Sequence, residues 1–303
     1  MRSSWREEKN WWPFEVSASS LGKQREHCGF SISKFLPPFE SRHKAELLPL
    51  RDRTAISTTV KAYRLFYAFA LMTAPLWFST VPPLWLQIAI TGAWIGLLGL
   101  LAEWLHRYTN TGSEVVRKVV HIGTGNVILL AWWLHVPAWL GISASIVFSA
   151  IAFLSYHLPI LPSINGIGRK SLGTFFYAVS IGILVAWFWS IQQPQYAALG
   201  VLVMTWGDGL AALVGQRFGN HPYKLWDTQK SWEGSLTMAI VSGLVSFLIL
   251  LAVQGAVWQT WLIALAIAIV ATGLEAFSKF GIDNLTVPLG SATLCFVLCQ
   301  LLL

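Results

Sequence analysis

The chain contains 303 residues, of which 55% are hydrophobic and only 12% are charged, and its formal net charge is +7. Soluble domains carry about a quarter charged residues, so this composition excludes an ordinary soluble domain and predicts a membrane protein with several spans. The positive charge lies mainly in residues 1–64, which hold 12 Lys or Arg against 7 Asp or Glu. A basic segment beside a membrane span is typical of the cytoplasmic side, so we predict no nucleic-acid partner.

Residues 1–60 are polar and lack helical periodicity, which indicates a disordered extension. Residues 61–303 form the predicted transmembrane domain, an all-α bundle of eight or nine spanning helices. Proline cannot continue a helix, so prolines mark the predicted boundaries of the spanning helices. They are Pro82-Pro83, Pro137, Pro194 and Pro288. The apolar runs lie near 62–80, 84–105, 115–134, 137–156, 173–191, 196–216, 234–253, 257–277 and 287–303.

The distribution of Lys and Arg predicts the orientation of the bundle. With nine spans, one side receives the N-terminal segment and the loops near 106–118, 157–172, 217–233 and 278–286, which together hold all 21 Lys and Arg residues. The loops on the opposite side hold none. Because positive residues stay on the side from which a membrane protein inserts, we expect the charged side to face the cytoplasm or the plastid stroma.

The segment Ser113–Asn126, SEVVRKVVHIGTGN, places polar residues at the start of an apolar run. One interpretation is a helix end whose Arg117 and Lys118 side chains extend to the lipid headgroups. The other makes His121, one turn inside the membrane beside two cations, a proton acceptor or a polar tether. Successive residues of an α-helix are rotated by about 100°, so five polar or small residues of this segment would share one face, about a third of the helix circumference. They are Glu114, Arg117, Lys118, His121 and Gly125.

The segment Asn165–Tyr177, NGIGRKSLGTFFY, combines glycines with two cations ahead of the next apolar run. Backbone N–H groups at a helix start, together with Arg169 and Lys170, would suit a phosphate group. The same pattern is also typical of a positively charged loop with turn glycines, and the residues alone leave both interpretations open.

The segment Trp206–Ser235 combines a carboxylate inside an apolar run with a short basic loop. Small residues on one helix face favour close packing, but packing does not account for Asp208, because ionisable groups are costly in hydrocarbon. Lys230 and Gly234 supply positive charge and accessible backbone for a polyphosphate, so we predict a nucleotide-phosphate site with Asp208 as a Mg²⁺ ligand. The residues on the Asp208 face are Asp208, Ala211, Gly215 and Gly219.

The segment Ala271–Leu289 adds a fourth polar cluster on the charged side. Glu275 and Lys279 are four residues apart and would form an ion pair at a helix end. Asp283 follows in a tight turn and is predicted to serve the same metal–nucleotide complex as Asp208. Because the membrane penalises each ionisable group separately, four such clusters on one side predict a single active site there.

These motifs resemble the polyprenol kinase family, which includes phytol kinase, farnesol kinase and, more distantly, dolichol kinase. The resemblance covers about residues 95–303, and its motifs occur in the same order in the phytol kinase branch. It implies transfer of the γ-phosphoryl group of CTP, or of UTP, to a long-chain prenyl alcohol in the bilayer, with phytol as the first candidate acceptor. The motifs are RKVVH at Arg117–His121, GRKSLGT at Gly168–Thr174, GDGLA at Gly207–Ala211, KSWEGS at Lys230–Ser235 and DNLTVPL at Asp283–Leu289.

The resemblance also implies a CTP-binding pattern, DxxAxxxGxxxG followed by KKTxEG. Gln229 stands where the family has the first lysine of the second half, and Ser231 stands where it has threonine. The matching residues are Asp208, Ala211, Gly215 and Gly219, then Lys230, Ser231, Glu233 and Gly234.

We expect Mg²⁺ on the nucleotide phosphates, held by Asp208 and Asp283, with the phosphate charge neutralised by Lys230 and by Arg169 or Lys170. His121 is the expected general base, and Glu233 and Asp283 are the alternatives. The active site is expected at the cytoplasmic or stromal membrane surface, and the oligomeric state stays open.

Two other functions are weighed against the kinase. Phosphatidate cytidylyltransferase has a similar nucleotide pattern, but its C-terminal PGHGG with paired aspartates is absent here. A transporter would carry ionisable residues near the middle of the membrane and on both sides, whereas here they lie near one side.

Overall fold

The computed structural model describes residues 81–109, 112–157, 172–225 and 228–303. The predicted all-α bundle is confirmed, and a short antiparallel hairpin between two of the helices adds to it. The described helices are α1 (Leu84–Tyr108), α2 (Ser113–Gly125), α3 (Val127–Trp133), α4 (Ala138–His157), α5 (Gly173–Phe188), α6 (Pro194–Phe218), α7 (Trp232–Gln254), α8 (Trp258–Ala276) and α9 (Asp283–Leu302). The hairpin consists of β1 (Pro222–Leu225) and β2 (Thr228–Ser231).

The described residues form seven segments that are long and apolar enough to cross a membrane, with α2 and α3 counted together as one. Helix α5 is equally apolar but has only 16 residues. The outer helix α1 exposes large apolar side chains, among them Leu97 at 63% and Leu100 at 69% of their surface. An apolar surface of this extent is unsuited to water but matches the hydrocarbon of a bilayer, so the chain is a multi-pass membrane protein.

Helix α6 forms the centre of the bundle and contacts α2, α3, α5, α7, α8 and α9. All of its residues from Tyr196 to Thr205 are buried. A Cβ atom on Gly200 would lie 2.4 Å from the backbone oxygen of Pro288, and one on Gly207 would lie 2.6 Å from the sulfur of Met238. Since apolar burial drives little association in lipid, these glycines stabilise the bundle by letting the helices approach closely.

Eight of the nine predicted apolar runs fall in the described residues, and each corresponds to a helix or a helix pair. The run near 62–80 and the extension 1–60 lie outside them. Pro82-Pro83, Pro137 and Pro194 do precede or begin helices, as predicted. The boundary predicted at Pro288 is wrong, because this proline is the sixth residue of α9. Packing of α9 on Gly200 supports the helix where the proline removes a backbone donor.

The hairpin lies against the start of α7 and determines where Lys230 lies. Tyr223 stands opposite Lys230 in the antiparallel register. The Tyr223 hydroxyl is 2.6 Å from the Ser235 hydroxyl, and its ring centroid is 5.2 Å from that of Trp232. The backbone N–H of Trp232 also donates to the carbonyl of His221 at 3.1 Å. These contacts tie β1 and the residue before it to α7, into which β2 leads directly.

We expect Gly200→Ala to destabilise the bundle, because its methyl group would overlap the Pro288 carbonyl, and backbone atoms cannot move aside as a flexible side chain can. Overpacking of this kind costs about 1–3 kcal/mol. Thermal unfolding of the purified protein in detergent measures the effect. Gly92→Ala on α1 is the matched control, since its methyl group would meet no atom within 4 Å. Equal melting temperatures for the two variants would contradict the assigned packing.

Candidate active site

A buried ion pair joins α2 to α6. The Lys118 ammonium donates to Oδ2 of Asp208 at 2.6 Å, and the two side chains are only 5% and 11% exposed. Asp208 lies 10 residues before the end of α6, and Lys118 lies on the second turn of α2. A charge in an apolar bundle is stable only when it is paired, so each of these groups requires the other.

His121 lies one helical turn beyond Lys118 and faces the same carboxylate. Its Nε2 atom is 3.6 Å from Asp208 Oδ2 and, among the described residues, has no hydrogen-bond partner. Its ring lies 4.8 Å from the ring of Tyr177, whose hydroxyl donates to the His121 carbonyl at 3.3 Å. The imidazole is therefore held in place by α5, with its buried Nε2 atom directed at the carboxylate of Asp208.

Arg117 and Lys118 are neighbours in sequence but lie in different environments. The Arg117 guanidinium donates to the Glu114 carboxylate at 2.5 and 2.9 Å, and its side chain is 41% exposed. The interpretation as a cation that extends towards the headgroups therefore suits Arg117. It is wrong for Lys118, which turns inward to Asp208.

A second ion pair joins β2 to the end of α8. The Lys230 ammonium donates both to the side-chain carboxylate and to the backbone carbonyl of Glu275. The two side chains are 15% and 11% exposed. The sequence prediction paired Glu275 with Lys279 along a helix, but α8 ends at Ala276, before Lys279.

Asp283 at the start of α9 brings the two ion pairs into one electrostatic cluster. Its carboxylate interacts electrostatically with Asp208, Lys118 and Lys230. Glu275 in turn interacts with both Asp208 and Asp283. Residues of three of the four polar sequence segments therefore interact in one cluster. In the remaining segment, Asn165–Tyr177, Arg169 and Lys170 lie outside the described residues, whereas Tyr177 contacts His121.

The small residues of the nucleotide pattern bring α6 and α7 close together around Ser231. A Cβ atom on Gly215 or on Gly219 would lie 3.0 Å from the Ser231 hydroxyl, and one on Gly234 would lie 3.1 Å from the Ala211 carbonyl. The Ser231 hydroxyl caps α7 by accepting from the backbone N–H of Gly234 at 3.2 Å. These five residues therefore set the distance between Asp208 on α6 and Lys230 beside α7.

Glu233 lies at the side of this cluster and holds the turn between α6 and β1. Its carboxylate accepts from the backbone N–H groups of Asn220 and His221 at 3.2 Å each, and it lies 2.7 Å from Nδ1 of His221. With these acceptor positions occupied, Glu233 suits a positioning role better than proton transfer.

The oxygen atoms in the cluster fit Mg²⁺ better than a metal that needs a complete protein cage. Within the described part of the chain, both ionic contacts of Asp208 involve Oδ2, so Oδ1 is the oxygen that could bind a ligand. Beside Asp283, the buried Oδ1 of Asn284 has no hydrogen-bond partner among the described residues. Mg²⁺ is commonly bound by one or two carboxylates, with water and phosphate oxygens completing its shell. Within the described ranges, no three His, Cys, Asp or Glu side chains form a metal-binding group.

Sequence reasoning named Lys118 and Glu275 but missed their buried partners, Asp208 and Lys230. Their partners lie 90 and 45 residues away in the chain, and nothing in local spacing predicts such pairs. A signal was present nonetheless, because an ionisable residue within a membrane segment requires a partner of opposite charge.

The chain is similar to several curated proteins over most of its membrane domain. It is 51% identical to the phytol kinase of Synechocystis sp. over 214 residues, which are 71% of this chain and 92% of that protein. It is 27% identical to phytol kinase 1, chloroplastic, of Arabidopsis thaliana, over 66% of this chain and 73% of that protein. The farnesol kinase, chloroplastic, of Arabidopsis thaliana is also 27% identical, over 61% of this chain and 66% of that protein.

No family model matches the chain. No solved structure matches it either.

We expect Glu275→Gln to lower the stability of the protein, because the Lys230 ammonium would lose a buried counter-charge. Breaking a buried pair costs up to about 3–5 kcal/mol. The double variant Lys230→Met/Glu275→Met should recover most of this loss, because it buries no charge at that place. Thermal unfolding in detergent measures both variants.

The exposed pair of Glu103 and Arg107 on α1 provides the control. Glu103→Gln should change stability by less than about 1 kcal/mol, since exposed pairs contribute little. An equal loss in Glu103→Gln and Glu275→Gln would contradict a special role for the buried pair.

Proposed function

The chain belongs to the phytol kinase branch of the polyprenol kinase family, and we propose that it transfers the γ-phosphoryl group of CTP to the hydroxyl of phytol at a membrane surface. The names of its relatives support a prenyl alcohol as the acceptor. The 51% identity over 92% of a phytol kinase favours this function over a cytidylyltransferase or a transporter.

The observation that carries the proposal is the buried carboxylate of Asp208 between Lys118 and His121, beside a second buried pair of Lys230 and Glu275. A membrane bundle gains little stability from such pairs, because removing two charges from water costs about as much as their attraction returns. Ionisable groups held inside apolar helices are therefore functional candidates. This set contains cations and carboxylates of the kind that phosphoryl transfer uses, and a histidine nitrogen that has no hydrogen-bond partner among the described residues.

The carboxylates and cations would act by positioning and by charge stabilisation. Asp208 and Asp283 would hold Mg²⁺, and the metal would offset the negative charge of the nucleotide phosphates. Lys230, fixed by the hairpin and by Glu275, would bind the nucleotide phosphates. Arg169 and Lys170 are proposed to bind the phosphates from the loop that precedes α5.

His121 would act as the general base. The hydroxyl oxygen of the alcohol forms the new O–P bond, the bond between the β- and γ-phosphates breaks, and CDP leaves with the bonding electrons. The hydroxyl proton moves to Nε2 of His121, the nitrogen without a hydrogen-bond partner in the described structure. The resulting imidazolium would lie 3.6 Å from the carboxylate of Asp208, which stabilises it. Asp283 is the alternative base.

The site is proposed to face the cytoplasm or, in a plastid, the stroma. The ion pairs of Asp208 and Lys230 lie on the side of the bundle where α2, α7 and α9 begin. Helices α6 and α8 end on the same side. The Lys and Arg residues of the described chain lie near those same ends, which follows the positive-inside rule.

Membranes that contain the protein should form labelled phytyl phosphate from phytol and γ-labelled CTP, with release of CDP. Asp208→Asn should lower this rate at least about 100-fold, because the metal–phosphate complex would lose a charged ligand. Thin-layer chromatography of the lipid extract measures the product. Membrane content of the variant, measured by immunoblot, is the control for insertion.

Several results would contradict the proposal. Release of pyrophosphate with a CDP-lipid from phosphatidate would indicate a cytidylyltransferase. Efficient transfer from ATP but not from CTP would overturn the proposed donor, and full turnover in Asp208→Asn would overturn the assigned site.

Orientation is tested by cysteine labelling in a Cys28→Ser background, since Cys295 and Cys299 are buried. A membrane-impermeant maleimide should label Lys224→Cys on the hairpin only in inside-out vesicles from a bacterial host. Gln192→Cys, in the exposed loop between α5 and α6, should be labelled only in right-side-out vesicles. The reverse pattern would place the site on the other side of the membrane.

A further inference from the structure

Lys118 is a buried cation that the two-part nucleotide pattern does not contain. It comes from α2, more than 80 residues before the pattern begins at Asp208. Among the described residues its ammonium makes one hydrogen bond, to Asp208 Oδ2. An ammonium has three N–H donors, so two remain for a ligand. Lys230 already uses two donors, on the carboxylate and the carbonyl of Glu275.

The stability of the bundle does not account for a lysine at this position. A well-packed apolar side chain opposite a neutral residue would serve a membrane bundle at least as well as a buried ion pair. The neighbouring Arg117 supplies a cation near the membrane surface through its pair with Glu114. The inward position of Lys118 therefore calls for a role within the site.

The charges of the cluster indicate what that role is. Lys118 and Lys230 face three carboxylates, those of Asp208, Glu275 and Asp283. An anionic phosphate entering this cluster requires direct contact with a cation, because the carboxylates would otherwise repel it. Lys118 has the donors for that contact, and it can keep its bond to Asp208 while making it.

We propose that Lys118 is a phosphate ligand, which holds Asp208 through one N–H group and donates another to the phosphoryl group that is transferred. This inference rests on the proposed function. Lys118 and His121 are three residues apart on one face of α2 and approach the same atom of Asp208. The hydroxyl of the alcohol, placed at His121, would therefore react with the phosphate that lies beside Lys118. The phosphate that reacts is the γ-phosphate of the nucleotide.

The test compares Lys118→Met and Lys118→Gln with Arg117→Gln, a matched loss of one positive charge at the next residue. Purified full-length protein in lipid nanodiscs is titrated with CTP and, separately, with cytidine, both without phytol. In Lys118→Met, CTP affinity should fall about tenfold while cytidine affinity stays unchanged, since cytidine carries no phosphate. The turnover number should fall about 100-fold or more.

Arg117→Gln should stay within about twofold of the parent in both measurements. Lys118→Arg, which keeps the charge, should recover part of the CTP affinity. If Lys118→Met does not fold, Lys118→Gln carries the comparison, because its amide can still donate to Asp208.

A parallel loss of CTP and cytidine affinity, or a loss of thermal stability with the ratio of the two affinities unchanged, would overturn the proposal and leave Lys118 as a structural counter-ion. A parent protein that binds another nucleoside triphosphate instead of CTP would overturn the proposed donor only. The same comparison, made with that triphosphate and its nucleoside, then decides the role of Lys118.

Discussion

The ion pair of Lys118 and Asp208 is the contact on which the functional half of the bundle depends. It joins α2 to the central helix inside apolar surroundings, where a single charge without a partner would be costly. If α2 or α6 moved away, the charge left on the other helix would lie unpaired among apolar side chains. The pair therefore fixes the position of His121 relative to Asp208, so the proposed proton acceptor and the proposed metal-binding carboxylate share one rigid frame. The proximity that phosphoryl transfer requires is thereby present before a substrate binds.

The nucleotide pattern divides into residues that carry charge and residues that set distance. Asp208 and Lys230 each bind a partner outside the pattern, on α2 and on α8, so four elements converge on them. Gly215, Gly219 and Gly234 instead remove side-chain volume around Ser231, which lets the end of α6 approach the start of α7. Packing by small residues and binding of phosphate, two alternative interpretations of the pattern at the level of sequence, are therefore complementary. The glycines bring the backbones together, and the close backbones hold the charges in place.

Hydropathy was sufficient to predict the spans, because a membrane helix satisfies its own backbone and needs only about 20 apolar residues. The first residues of α9, from Asp283 to Thr286, were not predicted to be helical, because the sequence places a helix boundary at Pro288. A proline marks a helix boundary only where neighbouring helices do not support it. The hairpin was missed because each strand has only four residues, too few for an alternating pattern to stand out from a polar loop. Among the candidate site residues, Asp208 was proposed from the cost of a carboxylate in lipid, and Asp283 from its turn on the same charged side. The partners Lys118 and Glu275 depend on how distant helices pack, which periodicity along one helix cannot reveal.

The hairpin also accounts for Gln229, which stands where the family has a lysine. Successive residues of a strand point to opposite faces, so Gln229 lies on the face opposite to Lys230 and is exposed. Its partner directly across the two strands is Lys224, which is also exposed. A lysine at 229 would place two positive charges opposite each other, an arrangement that destabilises a strand pair. A neutral amide there avoids the repulsion and leaves the cation that binds Glu275 unchanged. The departure from the family pattern thus falls on the exposed face of the hairpin, where a neutral side chain is compatible with Lys224.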